Sequence, residues 1–411
     1  MPTKQPGASP GAPAPMSAAL IVLLLALLLG LQPITTDLYL PALPALQGQW
    51  GAGMAQTQLT LTALLLAFGG SQLVWGPLSD RWGRRPILLL GLLAYVLAAL
   101  GCALAQSIEA LIVWRVVQGM AMGAGVMCAR AVVRDLYAPV EGAQAMSRAL
   151  TGLGIIACLS PPLGGWLAGS LGWRATMAAL AVFGGLALWL VALRFQETLM
   201  RPNVQALQPA HLLRTWRQIL RHPTFWAFTA TTTFTYAGLF TYLATSSFTF
   251  MQVLGWSSTA YGTLLACNAL LYVCGTVLCR RLVVRWGVRR SMVLAGALSL
   301  SGGSLMGIFA LLGVQNGWAY AVPFWLYQLA HGIHMPCSQS GAIGPFPQAA
   351  GTAAALNGVV MMVVAFGIGH WLGQHMNGTV LPLALGVWFW GACAAVAAWT
   401  LVQKFGEAQK S

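Results

Sequence analysis

Two long apolar runs are joined by Gly76-Pro77-Leu78-Ser79-Asp80-Arg81-Trp82-Gly83-Arg84-Arg85-Pro86, the most informative stretch of the chain. Gly76 and Pro77 are expected to end the helix formed by the first run, because proline removes a backbone hydrogen bond and glycine is a poor helix former. Gly83 permits a tight turn, and Pro86 suits the first turn of the next helix. The stretch therefore predicts two helices joined by a short polar loop.

The acid of this loop, Asp80, stands beside Arg81, Arg84 and Arg85. We expect it to pair with one of the arginines or to cap the following helix. Such a cluster can hold one conformation of a protein and release it in another. The alternative interpretation is a plain basic loop with one isolated acid, and the residue types alone do not decide between the two.

The composition outside the loop is that of a membrane protein. Of 411 residues, 58% are apolar and 7% are charged, whereas a soluble domain carries about a quarter charged residues. This argues against a soluble enzyme, a disordered chain and a nucleic-acid binder, although the formal net charge is +14.

A spanning helix needs about 20 apolar residues. Twelve segments fit: about 17–40, 56–78, 86–106, 110–132, 146–170, 174–195, 224–249, 258–280, 290–313, 318–340, 352–373 and 380–403.

The distribution of Lys and Arg predicts the orientation of these spans. With the N-terminus in the cytoplasm, only two of the 21 basic residues fall outside cytoplasmic segments: Arg174 lies in an outer loop and Arg115 within a span. Cytoplasmic loops of membrane proteins are enriched in basic residues. The sequence therefore predicts an all-α protein of 12 transmembrane helices with both termini inside.

The longest polar interruption divides the chain into two six-helix halves. It contains an amphipathic segment, 211–221, which is expected to lie on the anionic inner leaflet or to serve as a plain linker. The predicted division is a disordered cytoplasmic tail 1–16, an N-terminal half 17–195, a cytoplasmic linker 196–222, a C-terminal half 223–403 and a tail 404–411.

A short repeat supports two related halves. Arg81-Trp82-Gly83 recurs as Arg285-Trp286-Gly287, in the corresponding position after the eighth predicted span. Parallel repeats about an axis normal to the membrane are one known transporter plan. The second copy has Val284 where the first has Asp80, so an acid-based latch is expected in the first half only.

Asp37 and Arg115 are the isolated charges within predicted spans. Ionisable groups inside a membrane are costly and are functional candidates by default. Both residues fall in the outer half of their spans, so we expect them to pair and to couple transport to protons. The alternatives are that Asp37 caps an outer helix end, and that Arg115 reaches outward or bonds backbone carbonyls.

The fifth span ends in Ser160-Pro161-Pro162-Leu163-Gly164-Gly165. The tandem prolines interrupt the helical hydrogen bonds, and the glycines let helices approach closely. The segment is expected to be a hinge or a seal between the halves. The alternative is a packing kink without a role in transport.

These motifs resemble those of the major facilitator superfamily. The loop at 76–86 is similar to its signature loop, residues 115–125 to its motif in span four, and Pro161, Gly164 and Gly165 to the span-five motif of its antiporters. Ser160 replaces the glycine expected before the proline. The resemblance implies a conformational latch formed by Gly76, Asp80, Arg81, Gly83, Arg84 and Arg85, and an antiporter hinge formed by Pro161, Pro162, Gly164 and Gly165.

Three further stretches resemble a narrower group, the Bcr/CflA family of bacterial drug/proton antiporters. They are residues 36–44, residues 130–137 and Glu197-Thr198-Leu199. The specific motifs lie within 36–199. The resemblance implies a multi-pass protein of the bacterial inner membrane, most simply a monomer.

The second half offers histidines rather than acids as charge carriers, because no acid occurs between Thr198 and Gly406. His331 and His334 are candidate relays, although a structural role is favoured. The eight cysteines form no CxxC pair, so neither a disulfide nor a metal site is expected, and no cofactor beyond the proton gradient. Residues expected to line a substrate cavity are Tyr39, Phe68, Tyr236, Phe240, Tyr242, Asn268, Tyr272, Trp325, Tyr327, His331 and Met361.

The expected function is proton-coupled efflux of lipophilic or cationic small molecules. No phosphate-binding Gly-x-x-x-x-Gly-Lys-Ser/Thr loop is present, which argues against ATP drive within this chain. An exporter or importer of a metabolite, such as an amino acid or a nucleoside, is the alternative within the same fold. A membrane enzyme should show clustered carboxylates and a channel should show rings of charge or filter loops, and the sequence shows neither pattern. The expected partners are a small-molecule substrate, protons and the lipid bilayer, but not nucleic acid.

Overall fold

The computed structural model describes residues 16–137, 139–200 and 209–406, and this part of the chain is helical without strands. Backbone groups inside a bilayer must be satisfied within the protein, which favours helices in an apolar chain. The helices are α1 (Ala18–Asp37), α2 (Leu43–Trp50), α3 (Met54–Trp82), α4 (Arg84–Leu104), α5 (Ile108–Leu136), α6 (Pro139–Ser170), α7 (Trp173–Arg194), α8 (Pro209–Leu220), α9 (Pro223–Phe248), α10 (Ser258–Leu311), α11 (Trp318–Ile343), α12 (Ala350–His375), α13 (Leu381–Trp399) and α14 (Leu401–Phe405).

Twelve helical segments of spanning length confirm the predicted number. Among the described residues, nine helical stretches are long and apolar enough to cross a membrane. One of them, α10, has 54 residues and is interrupted at Gly287, where φ is 76° and ψ is 173°, so it supplies two spans. The other two spans are α9 and α11, of 26 residues each. They carry many Thr, Ser, Gln and His side chains, and most of α9 is buried in the bundle rather than turned to lipid.

The structure differs from the sequence prediction at the end of α3, at the tandem prolines of α6 and in the first span. Pro77 does not end α3, which continues to Trp82 and stops at Gly83, where φ is 99°. Helix α6 runs through Pro161 and Pro162 without a break. These prolines are accommodated because neighbouring helices and local adjustments compensate for the lost hydrogen bonds. The first span breaks at 38–42 but resumes as α2 up to Trp50.

The helices pack as two groups, α1 to α7 and α9 to α13, which we call the N-group and the C-group. The groups meet along two seams, α3 against α12 and α6 against the first arm of α10. Along the first seam, a Cβ atom at Gly69 would lie 2.6 Å from Met362, and one at Gly373 would lie 2.6 Å from Ala55. The first seam therefore depends on glycines, whose lack of a side chain lets the facing helix approach closely.

We call the end of the bundle that carries the Gly83 and Gly287 turns the basic face. Here the groups separate around a cavity of about 1000 Å³, lined by residues of α3, α5, α8, α11 and α12. At the opposite face they are in contact, since Gln47 and Gln252 of the two groups are joined by a 3.4 Å hydrogen bond. The structure is therefore open at the basic face and closed at the other.

The amphipathic helix expected between the halves is present as α8. Ile219 is fully buried against the C-group, and Trp216 packs beside it. Arg214 and Arg217 are exposed, and Arg214 lines the cavity. The apolar side of α8 thus covers part of the C-group, and its basic side is exposed at the protein surface and at the cavity.

Candidate functional site

Four charged residues form a cluster at the basic face. Arg84 is 1% exposed and lies between two acids, with its Nη2 2.7 Å from Asp80 Oδ1 and its Nε 2.9 Å from Asp135 Oδ2. The exposed Arg134 approaches Asp80 Oδ1 to 3.3 Å. The ion pairs of this cluster join α3, α4 and α5. The buried guanidinium of Arg84 has carboxylates in contact on two sides.

Glu197 fixes the loop from the far end of the N-group. Its carboxylate accepts hydrogen bonds from the backbone N–H groups of Arg84 at 2.9 Å and Arg85 at 3.0 Å. These donors belong to the first turn of α4, where helix N–H groups lack partners and a negative charge is favourable. A Cβ atom at Gly83 would collide with Glu197, so this glycine is required both for its positive φ and for the close approach.

The predicted latch residues are partly brought together. Asp80 pairs with Arg84, as one of the expected alternatives required, whereas Arg85 donates to the carbonyl of Ala192 at 3.0 Å. Asp135 and Arg134 were missed as latch residues. A signal was present in the sequence, because Arg134-Asp135 directly follows the predicted fourth span, on the same side of the membrane as the loop. Every ion pair of the cluster lies within the N-group, and Asp80 and Arg134 line the open cavity.

Arg115 lies at the centre of a second, fully buried network. Its guanidinium donates to the carbonyl oxygens of Thr60 at 3.1 Å and Thr35 at 3.4–3.5 Å, and to Gln118 Oε1 at 2.9 Å. It also lies over the ring of Tyr39, 4.3 Å from the centroid. Thr35 belongs to the last turn of α1, whose carbonyls lack helical partners. Arg115 therefore ties the broken end of α1 to α3 and α5.

Asp37 is the last residue of α1 and lies at the break in the first span. Its Oδ1 accepts a hydrogen bond of 2.8 Å from the hydroxyl of its neighbour Thr36. The carboxylate is within electrostatic range of Tyr236 and Tyr261 of the C-group and of Cys158 on α6. It thus lies beside the seam between the groups.

The expected ion pair between Asp37 and Arg115 is not formed in this structure. Arg115 uses its donors on the carbonyls of Thr35 and Thr60 and on Gln118, which is the alternative that the sequence left open. At the break after Asp37 the Tyr39 N–H bonds the Thr36 carbonyl instead of the Thr35 carbonyl, and the arginine donates to the Thr35 carbonyl. Asp37 has no ion pair among the described residues.

The proline–glycine segment of α6 touches both the Asp37 region and the C-group. A Cβ atom at Gly164 would lie 2.2 Å from the carbonyl oxygen of Leu38, and one at Gly165 would lie 2.5 Å from that of Ser258. On the other side of the seam, a Cβ atom at Gly262 would lie 2.5 Å from the carbonyl oxygen of Pro161. The segment is the point where the end of α1, α6 and α10 meet.

We predict that Gly165→Ala and Gly262→Ala each push the groups apart at this seam. Overpacking typically costs about 1–3 kcal/mol, which corresponds to a population shift of roughly 5- to 150-fold. The measurement is the distance between spin labels at Gln49 and Gln252, which should show a longer-distance population in both variants. Gly185→Ala is the matched control, because no atom lies within 4 Å of its added Cβ. Unchanged distances in both seam variants would contradict the prediction.

The predicted cavity residues separate into different environments. Tyr39 belongs to the Arg115 network, since its hydroxyl lies 2.7 Å from Thr60 Oγ1. Tyr327 donates to the carbonyl of Thr235 at 2.9 Å, and His331 Nδ1 lies 3.0 Å from Thr235 Oγ1. None of the predicted cavity residues lines the cavity at the basic face. Phe68, Tyr236, Phe240, Tyr242, Asn268, Tyr272 and Tyr327 lie deeper in the bundle, as do Trp325, His331 and Met361.

Several buried polar groups of the C-group have no hydrogen-bond partner in the described part of the chain. They include both ends of the Asn268 amide, Gln328 Oε1, the Tyr242 hydroxyl and both ring nitrogens of His334. Buried polar groups without partners are costly. Asn268 and Tyr242, whose side chains lie close to each other, are therefore candidates to bind water or a bound molecule. Among the same described residues, no three His, Cys, Asp or Glu side chains are placed to hold a metal ion.

Comparison with known proteins identifies the arrangement. The model of the Major Facilitator Superfamily matches residues 25–370. The chain belongs to the major facilitator superfamily. It is therefore a multi-pass membrane transporter of small molecules rather than an enzyme.

Relatives place this superfamily member in the Bcr/CflA group, as the sequence motifs indicated. The chain is 31% identical over 324 residues to the chloramphenicol resistance protein of Pseudomonas aeruginosa, covering 78% of this chain and 75% of that one. It is 32% identical over 321 residues to multidrug resistance protein D of Escherichia coli, with 78% and 80% covered. A bicyclomycin resistance protein homolog of Haemophilus influenzae is 25% identical over 366 residues, with 89% and 91% covered.

The fold agrees with solved structures. A partially occluded, inward-open structure of the xylose transporter XylE from E. coli superposes with a TM-score of 0.75 over 96% of this chain and 99% of that chain, at 14% sequence identity. At this identity the likeness concerns the fold alone, which has 12 helices in two groups.

Proposed function

We propose that the protein is a drug/proton antiporter that exports lipophilic or cationic small molecules by alternating access. The observation that carries the proposal is the position of Asp37, a carboxylate without an ionic partner in the described part of the chain, at a break in the first span and beside the seam between the two groups. The names of the relatives, chloramphenicol resistance protein and multidrug resistance protein D, support a drug as cargo.

The geometry explains how one acid can serve both proton and cargo. Asp37 accepts one hydrogen bond from Thr36, and Tyr236 and Tyr261 of the C-group lie within electrostatic range of its carboxylate. When the groups rock, the surroundings contributed by the C-group change while those contributed by α1 remain. A carboxylate without a cation beside it binds a proton more readily in a dry environment than in water. Alternation between wet and dry environments therefore loads and releases the proton.

Arg115 has a positioning role in this proposal. It holds the Thr35 carbonyl, two residues before Asp37, and is itself held by Thr60, Gln118 and Tyr39. These bonds fix the end of α1, and with it the carboxylate of Asp37, relative to α3 and α5 while the groups rock. Arg115 thus acts on Asp37 through the backbone at the end of α1 rather than through an ion pair.

The aromatic side chains of the C-group favour an aromatic cargo. Tyr236 and Phe240 stack with 6.5 Å between centroids, and Tyr242 stacks on Phe324 at 3.5 Å. Aromatic rings bind organic cations and flat apolar molecules. The unpartnered amide of Asn268 would accept a neutral polar group at the other end of the same molecule. A small zwitterionic metabolite would need a second charged partner, which favours the drug over the metabolite alternative.

The orientation and the moving bodies are part of the proposal. The basic face is cytoplasmic, because basic residues cluster there, and both termini then lie inside a bacterial inner membrane. The bodies that rock are residues 17–195 and 223–403, joined by the linker 196–222 with α8. The cavity at the basic face is then the inward-facing entrance for the cargo, and a single chain suffices.

Transport into everted membrane vesicles tests the function and the orientation together. We expect a lipophilic cation to accumulate when the vesicle lumen is acidified, and the gradient to collapse with a protonophore. Trypsin added outside should cut at Arg214, Arg217 or Arg221 in everted vesicles and not in right-side-out vesicles. Uptake of the same size with and without the pH gradient would contradict proton antiport. Trypsin cleavage in right-side-out vesicles but not in everted vesicles would contradict the proposed orientation.

A further inference from the structure

Two buried thiols of the C-group face each other across a helix contact. Cys279 on the first arm of α10 and Cys337 on α11 are each 4% exposed, and their sulfur atoms lie 3.4 Å apart. The Cys279 thiol also lies 3.8 Å from the Ile333 carbonyl oxygen. The transport mechanism described above uses neither thiol.

The backbone holds this pair in place. One turn before Cys279, a Cβ atom at Gly275 would lie 2.5 Å from the carbonyl oxygen of Leu329, and one at Gly332 would lie 2.5 Å from that of Tyr272. Glycines on both helices thus let α10 and α11 touch backbone to backbone. Close contact of this kind fixes the spacing of side chains that follow it on the two helices. The sulfur atoms are therefore pre-positioned, and a bridging ligand does not have to order them.

The spacing selects the geometry of a ligand. With a sulfur bond of about 2.3 Å, as in metal thiolates, a linear two-coordinate ion needs its two sulfurs ~4.6 Å apart, and a pyramidal centre with near-right angles needs them ~3.3 Å apart. A disulfide needs the sulfurs at about 2.05 Å, so oxidation would require the helices or side chains to move. The observed 3.4 Å fits the pyramidal centre.

We propose that Cys279 and Cys337 form a bidentate binding site for trivalent arsenic compounds, in particular aryl arsenoxides. Each thiol gives one sulfur–arsenic bond, the two thiol protons leave with the arsenoxide oxygen as one water molecule, and arsenic stays trivalent. The reaction needs no oxidant. The aryl group is apolar, as are most side chains packed around the two sulfurs, which belong to the buried cluster that includes Ile333 and Ala330.

The test uses phenylarsine oxide on the purified full chain. A variant that keeps Cys279 and Cys337 and has the other six cysteines replaced by Ala should bind one equivalent, seen as a single adduct by intact mass spectrometry with the loss of one water. Binding should protect both thiols from a maleimide applied after brief unfolding. A dithiol such as 2,3-dimercaptopropanol should reverse it, whereas the same concentration of a monothiol should not.

Single variants separate chelation from simple thiol reactivity. Cys279→Ala and Cys337→Ala in the same background should each lower retention of the arsenical through a wash with a monothiol at least tenfold. A chain that keeps only the exposed Cys274 should behave like these single variants. If a variant folds poorly, peptide mapping of the wild-type protein after treatment with the arsenical shows instead whether the adduct lies on Cys279 and Cys337. Equal retention by the pair and by single thiols, or no adduct on Cys279 and Cys337, would overturn the proposal.

Discussion

Asp37→Asn will abolish proton-driven uphill transport while leaving cargo exchange down a gradient intact. Asparagine keeps the size of the side chain and can still bond Thr36, but it cannot take up and release a proton. Among the described residues, Asp37 lies well inside a span, Ala18–Trp50, whereas the other acids lie near the ends of spans or between them. In proteoliposomes with an imposed pH gradient, we expect concentrative uptake to fall to the background of empty liposomes.

Two matched variants sharpen this test. Asp37→Glu keeps a carboxyl group at the break and should retain part of the proton-driven uptake. Glu109→Gln removes an exposed acid from the first turn of α5, far from the seam, and should transport like the wild type. Concentrative uptake by Asp37→Asn under the same gradient would show that the proton site lies elsewhere. His331, bonded to Thr235, would then be the next residue to replace.

The same assay determines the charge balance. One carboxylate implies about one proton per cycle, so export of a neutral cargo moves one net charge, worth about 2.3 kcal/mol per 100 mV of membrane potential. A monovalent cation exchanged for one proton moves no net charge. We therefore expect a valinomycin-imposed potential to change the uptake of a neutral cargo and to leave that of a monovalent cation unchanged.

The sequence predicted the spans well because hydropathy and charge are properties of single residues and short windows. The turns at Gly83 and Gly287 were also predictable, since both follow the repeated Arg-Trp-Gly and both have a positive φ. Helix ends at prolines were less predictable. Pro77 sits inside α3 because tertiary packing compensates for the lost hydrogen bond, and packing is not visible in a window.

The partners of charged residues were the hardest to predict. Arg115 and Asp37 share a depth, but a guanidinium has five donors and is satisfied as well by carbonyls at a helix end as by one acid. Which it chooses depends on the break after Asp37, a feature of three-dimensional packing. Asp135 was overlooked for the opposite reason, because its position at the end of a span resembled that of an ordinary surface acid. Only the structure shows it against a buried arginine.

That buried arginine carries the second large expected effect. Arg84→Met should destabilise the protein strongly, because it leaves Asp135, which is 12% exposed, without its 2.9 Å partner. Removing one member of a buried pair typically costs about 3–5 kcal/mol. The measurement is thermal unfolding of the purified protein in detergent, together with the yield of monodisperse protein. We expect a lower midpoint and a reduced yield.

Arg134→Met is the internal control, because it removes an arginine of the same cluster whose side chain is 62% exposed. Exposed ion pairs contribute about 0–1 kcal/mol, so this variant should unfold close to the wild type. The double variant Arg84→Met with Asp135→Leu replaces the buried pair by apolar side chains and should recover much of the loss, since such replacements are often neutral. If Arg84→Met and Arg134→Met unfolded at the same temperature as the wild type, the cluster would contribute no stability, and its role would be confined to the transition between the two conformations.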